Sequence, residues 1–427
     1  MFDALTRYIS FFRSAKPSDV ESTILTRVTD ACRYVPFYRE LLKTAGLSSN
    51  DFVCLQDVID KFPKISTSQY RDAQQNYGHE WMIDERFDIN HLKQDRSSGS
   101  SGVPVSIYRS KSEVNFNNAK TLYHLTKGGL RPWHRVMAVV PPMQVVKRDS
   151  NLQRFGIFRR YTVDYQMSAD DILEKIESKK INAVYGQKSF LLVLADRYGE
   201  LGKVPPTLKF LMPGAERIDE ASRRAFQRVF RPESYGEFYG ATETGIIASC
   251  HHQDYEVNYH GSFFCLTDPV SDGELTRGGI CVTSLFLQAQ PVIMLNLGDV
   301  VTVRNYDKLL DLKASIVSID GRDNDYLVCD DGSRIAGATF YTLLQTFSFM
   351  RQFRIIQERP AHCRILIRLI EDNDENRRLV EEKLKGLLSE RIAFDVEYVD
   401  VIDMDNGGKT KILVSNVNVP SRSVCET

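Results

Sequence analysis

Residues 96–104 read RSSGSSGVP. Serine and glycine at that density serve either a flexible linker or a loop whose backbone N–H groups and hydroxyls wrap phosphate oxygens. A linker separates compact units, whereas this stretch runs straight into VPVSIYRS, short and alternating as a strand should be. It also lacks the lysine of a nucleotide-binding P-loop. On these residues alone both readings stay open, and the rest of the chain decides between them.

The chain has 427 residues, enough for two or three domains. Lys+Arg number 55 against 56 Asp+Glu, so no global field draws the protein to nucleic acid or to an anionic membrane. No run approaches the ~18 apolar residues that span a bilayer, and MFDALTRYISFFRSAKPSD lacks the unbroken apolar stretch of a signal peptide. The eight cysteines are scattered with no CxxC pair, as reduced thiols are. The expectation is a soluble, cytoplasmic protein.

The first 75 residues read mainly as helices, with Asp19 as the expected cap of VESTILTRVTDACRYV and a restart after Pro36 that stops near Gly46. From about residue 134 strands and helices alternate: VMAVVPP, then ILEKIESKK behind the capping pair Ser168 and Asp171, INAVYG, SFLLVLADRYGEL, LKFLMPG and DEASRRAFQRVF. That order predicts an α/β protein with a parallel sheet covered by helices. Beyond residue 255 short strands punctuated by Gly and Asp predict a β-rich subdomain. The last hundred residues predict a small α+β unit, with strands FRIIQE, RILIRLI and FDVEYVD and a helix NRRLVEEKLKGLLSE.

Four further segments bear on the opening stretch. YGATETG (239–245) packs aromatic, hydroxyl and carboxylate groups into one tight turn. LGDVV (297–301) sets a carboxylate at a strand edge, where it could grip a ribose diol. GRDND (321–325) stands where the large region gives way to the C-terminal unit, and NGGKTK (406–411) is a glycine-loosened loop carrying lysines. Singly, each is explained by an ordinary turn, linker or tail. Their order and spacing together are not.

In that order the chain resembles the adenylate-forming superfamily of acyl-CoA ligases, luciferases and peptide-synthetase adenylation domains. SSGSSGVP is similar to its phosphate loop, YGATETG to its Tyr-Gly-x-Thr-Glu motif, LGDVV to its ribose motif, GRDND to its hinge and GGK to its catalytic-lysine loop. Within the superfamily, VPFYRELLKTAGL and DVIDKFPKISTSQYR resemble the opening helices of the phenylacetate–CoA ligase group, which includes capsule-biosynthesis-associated members. The resemblance implies an adenylate-forming domain over residues 1–322 and a lid over 323–427.

It also implies a two-step reaction. A carboxylate attacks the α-phosphorus of ATP, pyrophosphate leaves, and a nucleophile, usually the thiol of coenzyme A, then displaces AMP. By resemblance Ser97, Ser98, Gly99, Ser100, Ser101 and Gly102 cradle the β,γ-phosphates. Thr242 binds the α-phosphate, and Glu243 holds Mg2+, a hard cation suited to carboxylate oxygen. Tyr239 and Gly240 lie at the adenine, whose edge the backbone of Gly214, Ala215 and Glu216 reads. Asp299 accepts the ribose hydroxyls with Arg322 nearby, and Lys409 reaches in from the lid. The acid pocket is expected near Val184–Gln187 and Pro141–Gln144.

Two departures keep alternatives open. The pivot is Asn324, where relatives often carry Asp or Lys, or else Asp325 beside it. The segment LVCDDGSRIAG, with Asp330 and Asp331, suits a phosphate-rich coenzyme poorly, so an amine or a carrier protein is the alternative acceptor. Cys250 and His251–His252 offer soft metal ligands, but the later Cys-x-Cys that completes a zinc site in some relatives is absent, and no zinc is expected. A small carboxylic acid is the expected partner; nucleic acid and membrane are not, and a homodimer is compatible. A catalytically lapsed nucleotide-binding protein is the rival of another class, against which the joint presence of Glu243, Asp299 and Lys409 argues.

Overall fold

The computed structural model describes residues 2–97, 104–140, 151–164, 167–251, 253–322, 326–329, 334–336, 340, 343–344, 347–388, 392–403, 412–415 and 417. They belong to two compact units, one built mainly from residues before Gly321 and the other mainly from those after Asp320.

After helix Phe2–Ser10 the first unit continues with helices Pro17–Tyr34, Pro36–Thr44, Leu55–Lys61 and Thr67–Tyr77; of these, Pro17–Tyr34 comes first. Pro17 and Pro36 both sit at the first helical turn, where the missing N–H costs nothing. The cap of the first of these helices is therefore Lys16, and Asp19, expected there, lies inside the first turn, where the helix dipole favours a carboxylate. Val20, Ile24, Val28 and Ala31 recur on one face and are buried. Strands Lys93–Arg96 and Ser106–Arg109 then pair antiparallel, from Lys93 opposite Arg109 to Arg96 opposite Ser106. The Ser/Gly-rich stretch is thus the connection of a hairpin rather than a linker between units.

One large sheet carries the rest of the unit. Its strands are β1 (Val136–Val140), β2 (Arg160–Asp164), β3 (Ala183–Gln187), β4 (Phe210–Gly214), β5 (Glu237–Ala241), β6 (Gly245–Cys250), β7 (Tyr255–Val257), β8 (Ser262–Asp272), β9 (Leu275–Ser284), β10 (Leu295–Arg304) and β11 (Ser315–Arg322). They lie in the order β8-β9-β10-β11-β7-β6-β5-β4-β3-β1-β2. From β2 to β5 the pairing is parallel. Helices Ala169–Ser178, Lys188–Glu200 and Glu220–Phe230 make the crossovers. Ser168 caps the first of these by accepting from Asp171 N at 3.1 Å. Ile172, Ile176, Leu191, Leu194, Phe226 and Phe230 pack with Met137, Val163, Val184 and Leu211 in one core.

At β5–β6 the chain reverses and the sheet continues antiparallel. Here the expectation of short strands is wrong: β8 spans 11 residues, and β9 and β10 span 10 each. Gly278 and Gly279, which look like breaks, lie inside β9, where a Cβ on Gly278 would stand 2.6 Å from Thr267 O. They are glycine because the neighbouring strand approaches closely at a bulge, not because the chain turns there.

In the second unit β12 (Tyr326–Val328) pairs with β13 (Arg334–Ala336). A four-stranded sheet of β14 (Met350–Arg359), β15 (His362–Leu369), β16 (Ala393–Tyr398) and β17 (Leu413–Ser415) runs in the order β16-β15-β14-β17. Helix Asp374–Leu388 covers it with Val380, Leu384 and Leu388 over Ile355, Ile365 and Ile367. Among the described residues no helix is long and apolar enough to cross a membrane, and the seven described cysteines are free.

Candidate functional site

The turn between β5 and β6 holds Thr242, Glu243 and Thr244, with Ala241 opposite Gly245. Its own backbone bond is Thr244 N to Ala241 O at 3.2 Å. Two glycines close it. A Cβ on Gly240 would lie 2.5 Å from Gly245 O, and Gly245, at φ +70°, would put one 2.1 Å from Asn117 Oδ1. Glu243 is 7% exposed.

Helix Lys111–Lys127 lies beside this turn with a polar stripe at helical spacing: Asn117, Lys120 and His124. Lys120 Nζ donates to Thr244 O at 2.7 Å and stands 4.6 Å from the centre of the Phe286 ring. It is fully buried, and that burial, with the charge of Arg109 adding to it, holds its amine well below the ordinary lysine range. His124 Nδ1 lies 2.8 Å from Ser249 Oγ, which in turn lies 3.1 Å from His251 Nε2. Burial holds the His124 imidazole well below its usual value, with Lys120, His251 and Lys127 acting in the same direction. His251 fills the space left by Gly128 and Gly236. Among the described residues no group of three or more His, Cys, Asp or Glu could hold a metal.

Across the sheet Tyr239 Oη donates to Asp299 Oδ2 at 2.7 Å. Asp299 lies within β10, which has β9 on one side and β11 with the short strand Ile65–Ser66 on the other. The ladder places Asn296 opposite Cys281 and Val300 opposite Gly279, so Leu297, Gly298 and Asp299 face the single residue Ile280. This bulge, with Gly298 at φ +76° and its N–H donating to Asn296 Oδ1 at 2.8 Å, is what re-aims the carboxylate. Further along, Asp320 accepts from Arg277, Thr302 and Ser318, and its carbonyl accepts from Arg217 Nη1 at 2.6 Å.

The Gly214–Glu216 segment leaves β4 beside β5. A Cβ on Gly214 would fall 2.5 Å from the Phe238 ring, and Ala215 takes φ +62°. The Glu216 carboxylate accepts from Ser189 N at 3.1 Å and from Ser189 Oγ, at the first turn of helix Lys188–Glu200. Its side chain therefore serves that helix end. At the loop hairpin, Ser97 N donates to Val105 O at 2.9 Å and Val105 N donates to Ser97 Oγ at 2.8 Å. Ser97 closes the base of the loop.

Tyr239, Gly240, Thr242 and Glu243 thus share one hairpin, which the bond to Asp299 and the pairing of Gly214 with Phe238 join to the two neighbouring segments. Arg322 is the last residue of β11. Ser98, Gly99, Ser100, Ser101, Gly102, Asn324, Asp325 and Lys409 lie outside the described residues, as do Pro141–Gln144 of the expected acid pocket and His252. Sequence reading missed Arg109, 2% exposed, whose Nη1 donates to Asp95 Oδ2 and Nη2 to Thr242 O, both at 2.5 Å. It also missed Lys120 and Asp320. A charged residue closing the apolar strand VPVSIYR was the available signal for the first; nothing in the pattern marks Lys120.

Residues 327–416 match the family described as the CapK C-terminal domain. No curated protein sequence matches the chain significantly. Among solved structures the chain is similar to 2-hydroxyisobutyryl-CoA ligase in the postadenylation state with R3-HIB-AMP, at 15% identity and TM-score 0.74, covering 93% of this chain and 90% of that one. The anthranilate CoA ligase AuaEII with anthranoyl-AMP follows at 14% identity and TM-score 0.53, covering 74% and 65%. The amide bond synthetase McbA from Marinactinospora thermotolerans gives 15% identity and TM-score 0.52, covering 75% and 67%. At such identities the likeness is one of fold: the chain has the fold of the adenylate-forming ligases.

Proposed function

From that fold we propose that the protein uses ATP to activate a small carboxylic acid as its acyl adenylate and passes the acyl group to coenzyme A. The observation that carries the reading is the 2.7 Å bond from Tyr239 to Asp299, because it joins the Thr242–Glu243 turn to the carboxylate proposed for the ribose. In the first step a carboxylate oxygen bonds to the α-phosphorus and the bond to pyrophosphate breaks. In the second, the thiol sulfur bonds to the acyl carbon, AMP leaves, and the thiol proton is lost to solvent.

Both partners of the first step are anions, so this chain's residues act by positioning and by offsetting charge. Thr242 would donate to the α-phosphate, Asp299 would accept from the ribose, and the Ser97–Gly102 loop would surround the departing phosphates. The backbone of Gly214–Glu216 would read adenine, with Arg322 close to the ribose. Lys409, brought by a lid over residues 323–427 that pivots at Asn324 or Asp325, would neutralise the reacting oxygens. The donor set at the turn fits Mg2+: a single carboxylate, Glu243, leaves most coordination positions to phosphate oxygens and water, as that ion prefers. Magnesium bound there would offset the phosphate charge.

The sequence around Asp330 and Asp331 favours a second acceptor, an amine or a carrier protein. Acid-dependent exchange of labelled pyrophosphate into ATP, screened over a panel of acids, tests the first step. No exchange with any acid, from a protein that binds ATP, would leave a nucleotide-binding protein instead. Adding coenzyme A and looking for thioester separates the acceptors.

A further inference from the structure

We propose that Arg109 and Lys120 are positioning residues that hold the backbone carbonyls of Thr242 and Thr244, the residues on either side of Glu243, and so fix where its carboxylate points. This rests on the reading of Glu243 as the carboxylate that faces magnesium and phosphate. Arg109 Nη2 donates to Thr242 O at 2.5 Å, and Lys120 Nζ donates to Thr244 O at 2.7 Å. The two donors come from different elements, the strand that leaves the Ser/Gly-rich loop and the helix that follows it.

The turn contributes a backbone bond of its own. Its backbone bond, Thr244 N to Ala241 O, is long at 3.2 Å, and inward-facing carbonyls need donors. Guanidinium and ammonium donors make the stronger kind of hydrogen bond. Neither residue is an ordinary packing choice. Lys120 is fully buried, and its stem occupies the space that glycine leaves at 261, where a Cβ would lie 2.5 Å from Lys120 Cδ. An apolar side chain of that length would fill the same space beside Phe286 without the cost of burying an amine. Charged or neutral, the amine keeps an N–H for Thr244 O.

Arg109 adds a link to the loop. Its Nη1 grips Asp95 on the strand that enters the Ser/Gly-rich stretch, while Arg109 itself ends the strand that leaves it. One guanidinium thus ties the base of the phosphate loop to the turn that carries Glu243, so the two proposed phosphate-facing elements keep a common frame.

The test uses Lys120→Met, which keeps length and packing, and Arg109→Lys, which keeps charge but cannot span both acceptors. Amide hydrogen exchange on the full chain without ligand should rise about tenfold or more at residues 242–245 in either variant, with residues 137–139 of the parallel sheet unchanged. In pyrophosphate exchange, the maximal rate should fall by about 10- to 100-fold. The Mg2+ concentration giving half that rate should rise, while KM for ATP stays within about twofold. Unaltered amide exchange at the turn overturns the clamp, whatever the protein's reaction. Loosened amides with normal rate and Mg2+ dependence overturn its positioning role. If the unsubstituted protein exchanges no pyrophosphate, the proposed reaction fails, and the amide measurement alone decides whether the clamp exists.

Discussion

The hydroxyl of Tyr239 donates to the Asp299 carboxylate at 2.7 Å, across 60 positions of sequence. The tyrosine of the turn therefore orients the carboxylate proposed to accept from the ribose. Asp299→Ala should weaken ATP binding by roughly 1.5–3 kcal/mol for each charged hydrogen bond lost. Tyr239→Phe leaves the carboxylate in place without this donor, so its cost should be smaller, about 2- to 10-fold in affinity. Calorimetry of both variants checks the order; a Tyr239→Phe loss equal to that of Asp299→Ala would mean that the carboxylate contributes only when the hydroxyl holds it.

Gly245 is required twice over, by its φ of +70° and by Asn117 Oδ1, which lies 2.1 Å from where a Cβ would be. Gly245→Ala should destabilise the protein by about 1–3 kcal/mol. Adding Asn117→Ala removes the clash but not the backbone strain, so the double variant should recover only part of the loss. Urea unfolding of the single and double variants measures this directly. Full recovery would assign the whole cost to the clash.

Acid should weaken the fold through His124. Burial first, then the charges of Lys120, His251 and Lys127, depress its folded pKa well below 6.5, while the unfolded chain titrates near that value. Between the depressed value and 6.5 the unfolded state binds the extra proton, so stability rises with pH and is lost on acidification. His79 and His134 shift in the same direction. Stability measured from about pH 7 down to pH 5 should fall, and His124→Gln should flatten that slope. An equal slope in the variant would place the acid sensitivity elsewhere.

What could be read beforehand follows from how local the signal is. Strands β1, β3 and β4 of the parallel half were legible as short apolar runs, and Ser168 as a chemically marked helix cap; β2 and β5, at Arg160–Asp164 and Glu237–Ala241, were not. The lengths of β8 to β10 were not, since Gly278 and Gly279 look like punctuation until the neighbouring strand shows why a Cβ is excluded. The residues proposed for the site stand out in the sequence as short contiguous strings. Arg109 and Lys120 do not, because each acts on a carbonyl more than a hundred positions away, and such a contact leaves no local pattern. Glu216 shows the converse: its place in a readable segment gave no hint that its carboxylate serves Ser189.

Lys409 carries the most discriminating prediction. In the proposed cycle the lid brings this lysine to the reacting phosphorus for adenylation and withdraws it for acyl transfer. An ammonium that cancels charge on the pentacoordinate phosphorus helps the first step and is irrelevant to the second. Lys409→Ala should therefore nearly abolish acid-dependent pyrophosphate exchange. Given presynthesised acyl adenylate and the acceptor, the same variant should still transfer the acyl group at close to the normal rate. Lys411→Ala, two positions on, is the control and should exchange normally. Asn324→Pro should do the reverse if the pivot lies there, keeping adenylation and losing transfer; if it performs both steps, Asp325 becomes the pivot to test. Normal pyrophosphate exchange by Lys409→Ala, or an equal fall of both steps in a folded variant, would remove the lysine from the role assigned to it.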